Sequence, residues 1–121
     1  MKELFPQSWI DQLETLGFDT FTDIQEQIFA PIYEGGNVLG ISPTGTGKTL
    51  AYLFPSLLKV KPKKAQQLLI LAPNTELAGQ IFDVTKQWAE PLCLQTQLFL
   101  SGSSQKRQIE RLKKGPEILV G

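Results

Sequence analysis

Apolar residues in the first third of the chain recur at helical spacing. Trp9, Leu13 and Leu16 follow one another at three- and four-residue steps behind Ser8, which stands three residues ahead of Asp11 in the manner of a helix N-cap, and Gly17 stops the run. A second stripe, Ile24, Ile28 and Ile32, follows Thr22-Asp23-Ile24-Gln25, the pattern of a capping box. Pro31 is placed to bend this second helix and Gly35-Gly36 to end it. Beyond residue 37 the pattern changes to short apolar runs separated by helical stretches. Val38-Leu39-Gly40-Ile41 predicts a strand, a loop follows, and a helix extends from about Lys48 to Leu58 with Pro55 inside it. Leu68 to Ala72 predicts a second strand, and the helix after Pro73-Asn74 aligns Leu77, Ile81, Val84 and Trp88 on one face. Leu92 to Leu100 predicts a third strand, Ser104 to Lys114 a charged amphipathic helix, and Glu117 to Val120 a fourth strand after the Gly115-Pro116 turn. Strands alternating with helices imply an α/β fold built on a parallel sheet.

Composition sets bounds on this picture. The 121 residues are 41% hydrophobic and 20% charged, as in an ordinary globular domain. Twelve basic residues balance twelve acidic ones, so any grip on a polyanion must come from local placement and not from an overall field. The one cysteine, Cys93, has no partner for a disulfide and reads as a core thiol in an apolar alternating stretch. With no histidine and one cysteine, a His-based triad and a Cys/His zinc site are excluded. No run approaches the roughly 20 apolar residues of a membrane span, so no membrane association and a cytoplasmic setting are expected.

One segment carries specific chemistry. Ser42-Pro43-Thr44-Gly45-Thr46-Gly47-Lys48-Thr49 lies between a predicted buried strand and a predicted helix. A triphosphate is held economically by a turn whose backbone N–H groups converge at a helix N-terminus, and Gly45 and Gly47 permit such a turn. Lys48 can then set its ammonium against the β and γ phosphates, and the Thr49 hydroxyl can ligate the Mg²⁺ that bridges them. Ser42 stands where such loops usually begin with glycine. A Ser/Thr/Gly/Pro surface turn is the competing reading, and it leaves Gly-Lys-Thr at a helix start unexplained.

The surrounding motifs resemble those of the DEAD-box ATP-dependent RNA helicases. Gly17-Phe18-Asp19-Thr20-Phe21-Thr22-Asp23-Ile24-Gln25 looks like the Q motif of that family and residues 42–49 like its motif I. Pro73-Asn74-Thr75-Glu76-Leu77-Ala78-Gly79-Gln80 resembles motif Ia, Ser101-Gly102 a degenerate Gly-Gly motif, and Pro116-Glu117-Ile118-Leu119-Val120-Gly121 the lead into motif Ib. The five fall in the family's order across nearly the whole chain. The resemblance implies the N-terminal part of a first RecA-like domain, with the Q-motif helices in residues 1–36 and the βα units in 37–121. It implies ATP and Mg²⁺ as cofactors, RNA as a partner through backbone contacts, and a second RecA-like domain outside this chain.

For individual residues, the resemblance assigns ATP to Phe18, Thr22, Gln25 and residues 42–49, with Lys48 and Thr49 as the catalytic pair and Thr49 on the metal. The Gln25 amide has an acceptor and donors to match N6 and N7 of adenine. Completing the capping box with Thr22 is the competing role, and Phe18 is expected to pack beneath the base rather than stack on it. RNA contacts are implied at Pro73, Asn74, Thr75, Gly102 and Gly121, with the departure that Thr75 stands where the family has arginine. The helix after Ser104 carries Lys106, Arg107, Arg111, Lys113 and Lys114 against Glu110, and a solvated face is the simpler reading of it.

No acidic residue here follows a four-residue apolar strand, so this chain is expected to bind ATP without hydrolysing it. In the family's sheet the strands of motifs II and III lie between those of motifs I and Ia. The chain alone is therefore expected to be unstable or to associate through open strand edges. A non-catalytic nucleotide- or RNA-binding module and a small P-loop kinase are the alternative functions. The second would need lid arginines, whereas the only arginines are Arg107 and Arg111.

Overall fold

The computed structural model describes residues 1–45 and 47–121; Thr46 of the phosphate loop lies outside the described residues. Two compact units divide the chain, Met1–Lys59 and Val60–Gly121.

The first unit holds three helices, α1 (Gln7–Thr15), α2 (Asp23–Tyr33) and α3 (Lys48–Leu57). Pro6, not Ser8, is the N-cap of α1, with φ −65° already suited to entering a helix and no side-chain cap. Its carbonyl accepts from Trp9 at 3.0 Å and Ile10 at 3.3 Å, which places Ser8 inside the first turn. Gly17, at φ 74°, closes the helix in a Schellman arrangement. There Phe18 N–H donates to the Leu13 carbonyl at 2.9 Å and Gly17 N–H to that of Glu14 at 3.1 Å. Trp9 and Leu13 are buried on one stripe as their spacing predicts, whereas Leu16 falls on the exposed side of the C-cap. The core is aromatic. Phe5 meets Trp9 edge-on with ring centroids 5.0 Å apart, and Phe54 of α3 lies 4.9 Å from Phe5 and 5.2 Å from Trp9. Such pairs each contribute about 0.5–1.5 kcal/mol beyond the area they bury.

Val38 to Ile41 is not a strand. Among the described residues no segment pairs with it, and Leu39 and Ile41 are 86% and 84% exposed. A strand exists only through a ladder of hydrogen bonds to a neighbour, so an apolar run alone does not make one.

The second unit is a three-stranded parallel sheet, β1 (Leu68–Ile70), β2 (Thr96–Leu98) and β3 (Ile118–Val120), in the order β1-β3-β2. Leu69 pairs with Leu119 and Gln97 with Leu119, so β3 is laddered on both sides. Two helices make the connections, α4 (Thr75–Ala89) and α5 (Gln105–Lys113). Asn74 caps α4, its side-chain oxygen accepting from Leu77 N–H at 2.9 Å. Ala78, Thr85, Trp88 and Ala89 of α4 are buried with Ile70, Leu94, Ile118 and Val120. Leu77, expected on that stripe, is 39% exposed. The other sheet face is open: Leu69, Leu71, Phe99, Leu112 and Leu119 line an apolar hollow of about 300 Å³.

The predicted strand Leu92 to Leu100 is shortened at its start. Glu90–Leu92 forms a 3-10 turn that ends at Cys93 with φ 60°. Cys93 is consequently exposed and not a core thiol, because the left-handed turn breaks the alternation that would have turned it inward. Among the described residues no helix is long and apolar enough to cross a membrane.

Glu117, at the entrance to β3, is 4% exposed and joins three segments. Its carboxylate accepts from Lys63 N–H at 3.0 Å through Oε1 and from Gln95 N–H at 2.6 Å through Oε2. Its own carbonyl accepts from Gln67 at 2.8 Å and Leu68 at 3.1 Å. Glu117→Ala strands two N–H donors, so urea unfolding should show a loss of about 1–3 kcal/mol for each donor left unsatisfied. Glu117→Gln, which keeps one acceptor end, should fall between; equal stability of all three chains would dismiss this account.

Candidate functional site

The capping box predicted at Thr22 is present in both directions. Thr22 N–H donates to Gln25 Oε1 at 3.0 Å, and the Thr22 hydroxyl accepts from Gln25 N–H at 3.4 Å. The same Gln25 side chain does a second thing that its sequence position does not reveal: Nε2 donates to the Gly47 carbonyl at 3.2 Å, 22 residues away. One amide thus ties the start of α2 to the start of α3. Gly47, at φ 79°, is the N-cap of α3, and a Cβ there would collide with the Gln25 amide. Glycine is required at this point for both reasons.

Phe18, Thr22, Gln25, Gly45 and Gly47 converge on one cavity of about 210 Å³, where Leu13, Thr20, Phe21, Leu50 and Phe54 complete the walls. Thr20 and Phe21 fall within the segment that resembles the Q motif, whereas Leu13, Leu50 and Phe54 carry no sequence signal that separates a wall of a binding pocket from an ordinary core position. Phe18 is 47% exposed at the cavity wall. Gly45, with φ 77°, also borders an adjoining cleft with Ser42, Pro43, Thr22 and Asp23. Lys48 opens α3 and lines a third hollow with Ile24, Ile28, Ile32 and Tyr52. Thr44 is exposed in the turn before Gly45. Thr49 lies in the first turn of α3, partly buried. Burial pushes the Tyr52 hydroxyl above the usual tyrosine range, and a hydrogen bond with Thr49 acts against that rise. The α3 N-terminus therefore presents its free N–H groups, a lysine and a hydroxyl beside an apolar slot with amide hydrogen-bonding capacity, the donor set that suits a nucleotide with its phosphates.

The second unit gathers a different set. Parallel pairing of β1 and β2 to β3 brings the C-terminal ends of all three strands to one edge, where ligands of open α/β sheets bind. There Pro73, Asn74, Thr75 and Gly121 line a cleft of about 190 Å³ with Ala72, Ala78, Phe99, Leu100 and Ser101. Gly121 N–H donates to the Ile70 carbonyl at 3.0 Å and its carbonyl accepts from Ala72 at 2.8 Å. A Cβ on Gly121 would lie 2.8 Å from the Phe99 carbonyl oxygen, so the close approach of these two loops depends on glycine. Gly102 is outside the lining of this cleft, in the next turn, at φ 84°.

Comparison with known proteins identifies the family. A DEAD-box ATP-dependent RNA helicase of Bacillus cereus, CshC, is 41% identical over 100% of this chain, which spans 30% of that relative. Among solved structures, a DEAD box protein from the hyperthermophile Methanococcus jannaschii superposes with a TM-score of 0.83 at 28% identity, over 92% of this chain and 31% of that one. The RNA helicase Prp28 of Chaetomium thermophilum, bound to ADP, gives a TM-score of 0.78 at 30% identity, over 95% of this chain and 30% of its own. The chain thus has the parallel α/β architecture of the N-terminal part of a RecA-like domain and spans less than a third of the relatives it matches. Residues 22–121 match the family model for DEAD/DEAH box helicases, so this chain belongs to that family.

Proposed function

We propose that this chain is the ATP-binding, N-terminal part of the first RecA-like domain of an ATP-dependent RNA helicase, a cytoplasmic motor completed by a second RecA-like domain. The observation that carries the reading is the Gln25 amide, held between Thr22 and Gly47 at the rim of the 210 Å³ cavity. An amide oxygen has two acceptor sites and its nitrogen two donors. With one of each engaged, one acceptor and one N–H remain, the complement of the N6 amino group and N7 of adenine. The two roles weighed for Gln25 are therefore compatible: the capping box fixes the amide's direction, and the free half reads the base.

Lys48 supplies a cation to the β and γ phosphates, and residues 42–47 supply the turn that receives them. Mg²⁺ would be held by the Thr49 hydroxyl together with phosphate oxygens and water, as suits a cation that seldom takes an all-protein cage. Its chemistry there is to neutralise charge on the phosphates. RNA occupies the cleft of the second unit through backbone contacts at Pro73, Asn74, Thr75 and Gly121, and meets Gly102 in the turn beside it. The chain by itself binds ATP and does not turn it over. ADP in the Prp28 structure, whose fold this chain shares, supports the nucleotide assignment.

Lys48→Ala removes the phosphate cation and should weaken ATP binding on the order of 10- to 100-fold, as measured by calorimetry; unchanged affinity would defeat the assignment of the loop. Gln25→Glu retains an acceptor for Thr22 N–H but loses both amide hydrogens. It should leave helix content intact by circular dichroism while abolishing the preference for ATP over GTP. Retention of that preference would return Gln25 to a purely capping role.

A further inference from the structure

The net charge of zero conceals a separation. Residues 1–59 carry three lysines and no arginine against seven acidic residues, whereas residues 60–121 carry nine basic residues against five acidic ones. Within that second group, residues 105–114 hold five basic residues and one acid, so the whole positive surplus of the unit belongs to α5 and its C-cap, Lys114. Lys106, Arg107, Arg111, Lys113 and Lys114 are all exposed, and among the described residues none of them is in an ion pair.

Arg107, Arg111 and Lys114 follow one another at four- and three-residue steps and therefore stand in a row along one side of the helix, opposite Ile109 and Leu112. Axial steps are about 6 Å and 4.5 Å at the rise of an α-helix. Like charges at four-residue spacing disfavour the helix by about 0.2–0.5 kcal/mol, and Arg107 with Arg111 is such a pair. Cations in the last turn favour the helix dipole, which accounts for Arg111 and Lys114 but not for Arg107 in the first turn.

The placement of α5 supplies a reason for the row. Ser104 caps its start by accepting from Arg107 N–H at 3.4 Å. Gln108 Oε1 accepts from Leu100 N–H at 2.9 Å, so the helix is pinned to a residue that lines the cleft at the strand ends. None of the nine residues that line that cleft is charged.

We infer that Arg107, Arg111 and Lys114 form a phosphate-binding track for RNA that leads away from the cleft along α5, supplying the cationic contacts that the cleft itself lacks. The inference rests on the cleft being an RNA site. A basic row of this kind binds by releasing counterions, holds the backbone without reading sequence, and makes affinity depend steeply on salt.

The test is fluorescence anisotropy of labelled oligouridylate with the 121-residue chain, titrated at KCl concentrations from 50 to 200 mM. Removing three phosphate contacts on a single strand should reduce the slope of log affinity against log salt by about 2. The R107Q/R111Q/K114Q chain should accordingly lose about 16-fold less affinity than the parent chain across that salt range, with the parent chain binding more tightly at 50 mM. R107K/R111K, which keeps the charge, should retain the parent slope. K2Q/K59Q/K86Q removes the same charge elsewhere and should leave the slope within about 0.5 of the parent. An unaltered slope in the first variant, or an equal fall in the charge-matched control, overturns the track and points to an acidic protein partner or to bulk charge. Absence of RNA binding by the parent chain would instead overturn the assignment of the cleft itself.

Discussion

In each unit one buried polar side chain satisfies backbone groups from segments that lie far apart in sequence, and so fixes how those segments meet. Gln25 serves Thr22 N–H and the Gly47 carbonyl in the first unit. Glu117 serves Lys63 N–H and Gln95 N–H in the second. Both residues are less than a tenth exposed, where an unpartnered donor or acceptor is costly, so the connections are held by the price of breaking them. A bidentate group is needed in both places. An amide can accept with one atom and donate with the other, which is what a backbone N–H and a carbonyl together require. A carboxylate can only accept, which suits two N–H groups.

These connections explain why the two candidate sites lie at the ends of elements and not in their middles. The α3 N-terminus leaves N–H groups without helical partners, and Gln25 sets the direction of the residue that precedes them. In the sheet, β3 is hydrogen-bonded on both edges, so the loops that follow β1, β2 and β3 emerge together. Gly121 lets two of those loops approach to a distance that a side chain would forbid. Strand pairing beneath and glycine above give a cleft in which Asn74, Thr75 and Ser101 stand among the apolar side chains of Ala72, Pro73, Ala78, Phe99 and Leu100.

What could be read from the sequence follows from how local the cause is. The capping box, the Gly17 helix end and the alternation of helices with strands beyond residue 68 depend on neighbours within a few residues, and all are present. The errors share another cause. Val38 to Ile41 has the composition of a strand, but pairing is a property of two segments and none lies beside it among the described residues. Alternation alone places Cys93 in a core, and a single left-handed residue is enough to cancel it. Ser8 has the side-chain chemistry of a cap, whereas the fixed φ of Pro6 starts the helix earlier. The cavity walls contributed by Leu13, Leu50 and Phe54 read as core because their chemistry is that of core, and only three-dimensional proximity to Gln25 distinguishes them.

Charge shows the same limit at the level of the whole chain. A total of zero is consistent with an evenly mixed surface, and with seven acids in one unit and a cationic helix in the other. Only the second arrangement gives a local field, because successive cations of the row on α5 stand about 4.5–6 Å apart along the helix, within the roughly 10 Å over which surface charges act at moderate ionic strength. A polyanion meeting this protein therefore encounters α5, not the average. The sequence thus keeps the cationic run of residues 105–114 apart from the acid-rich residues 1–59, a separation that the total charge of zero hides.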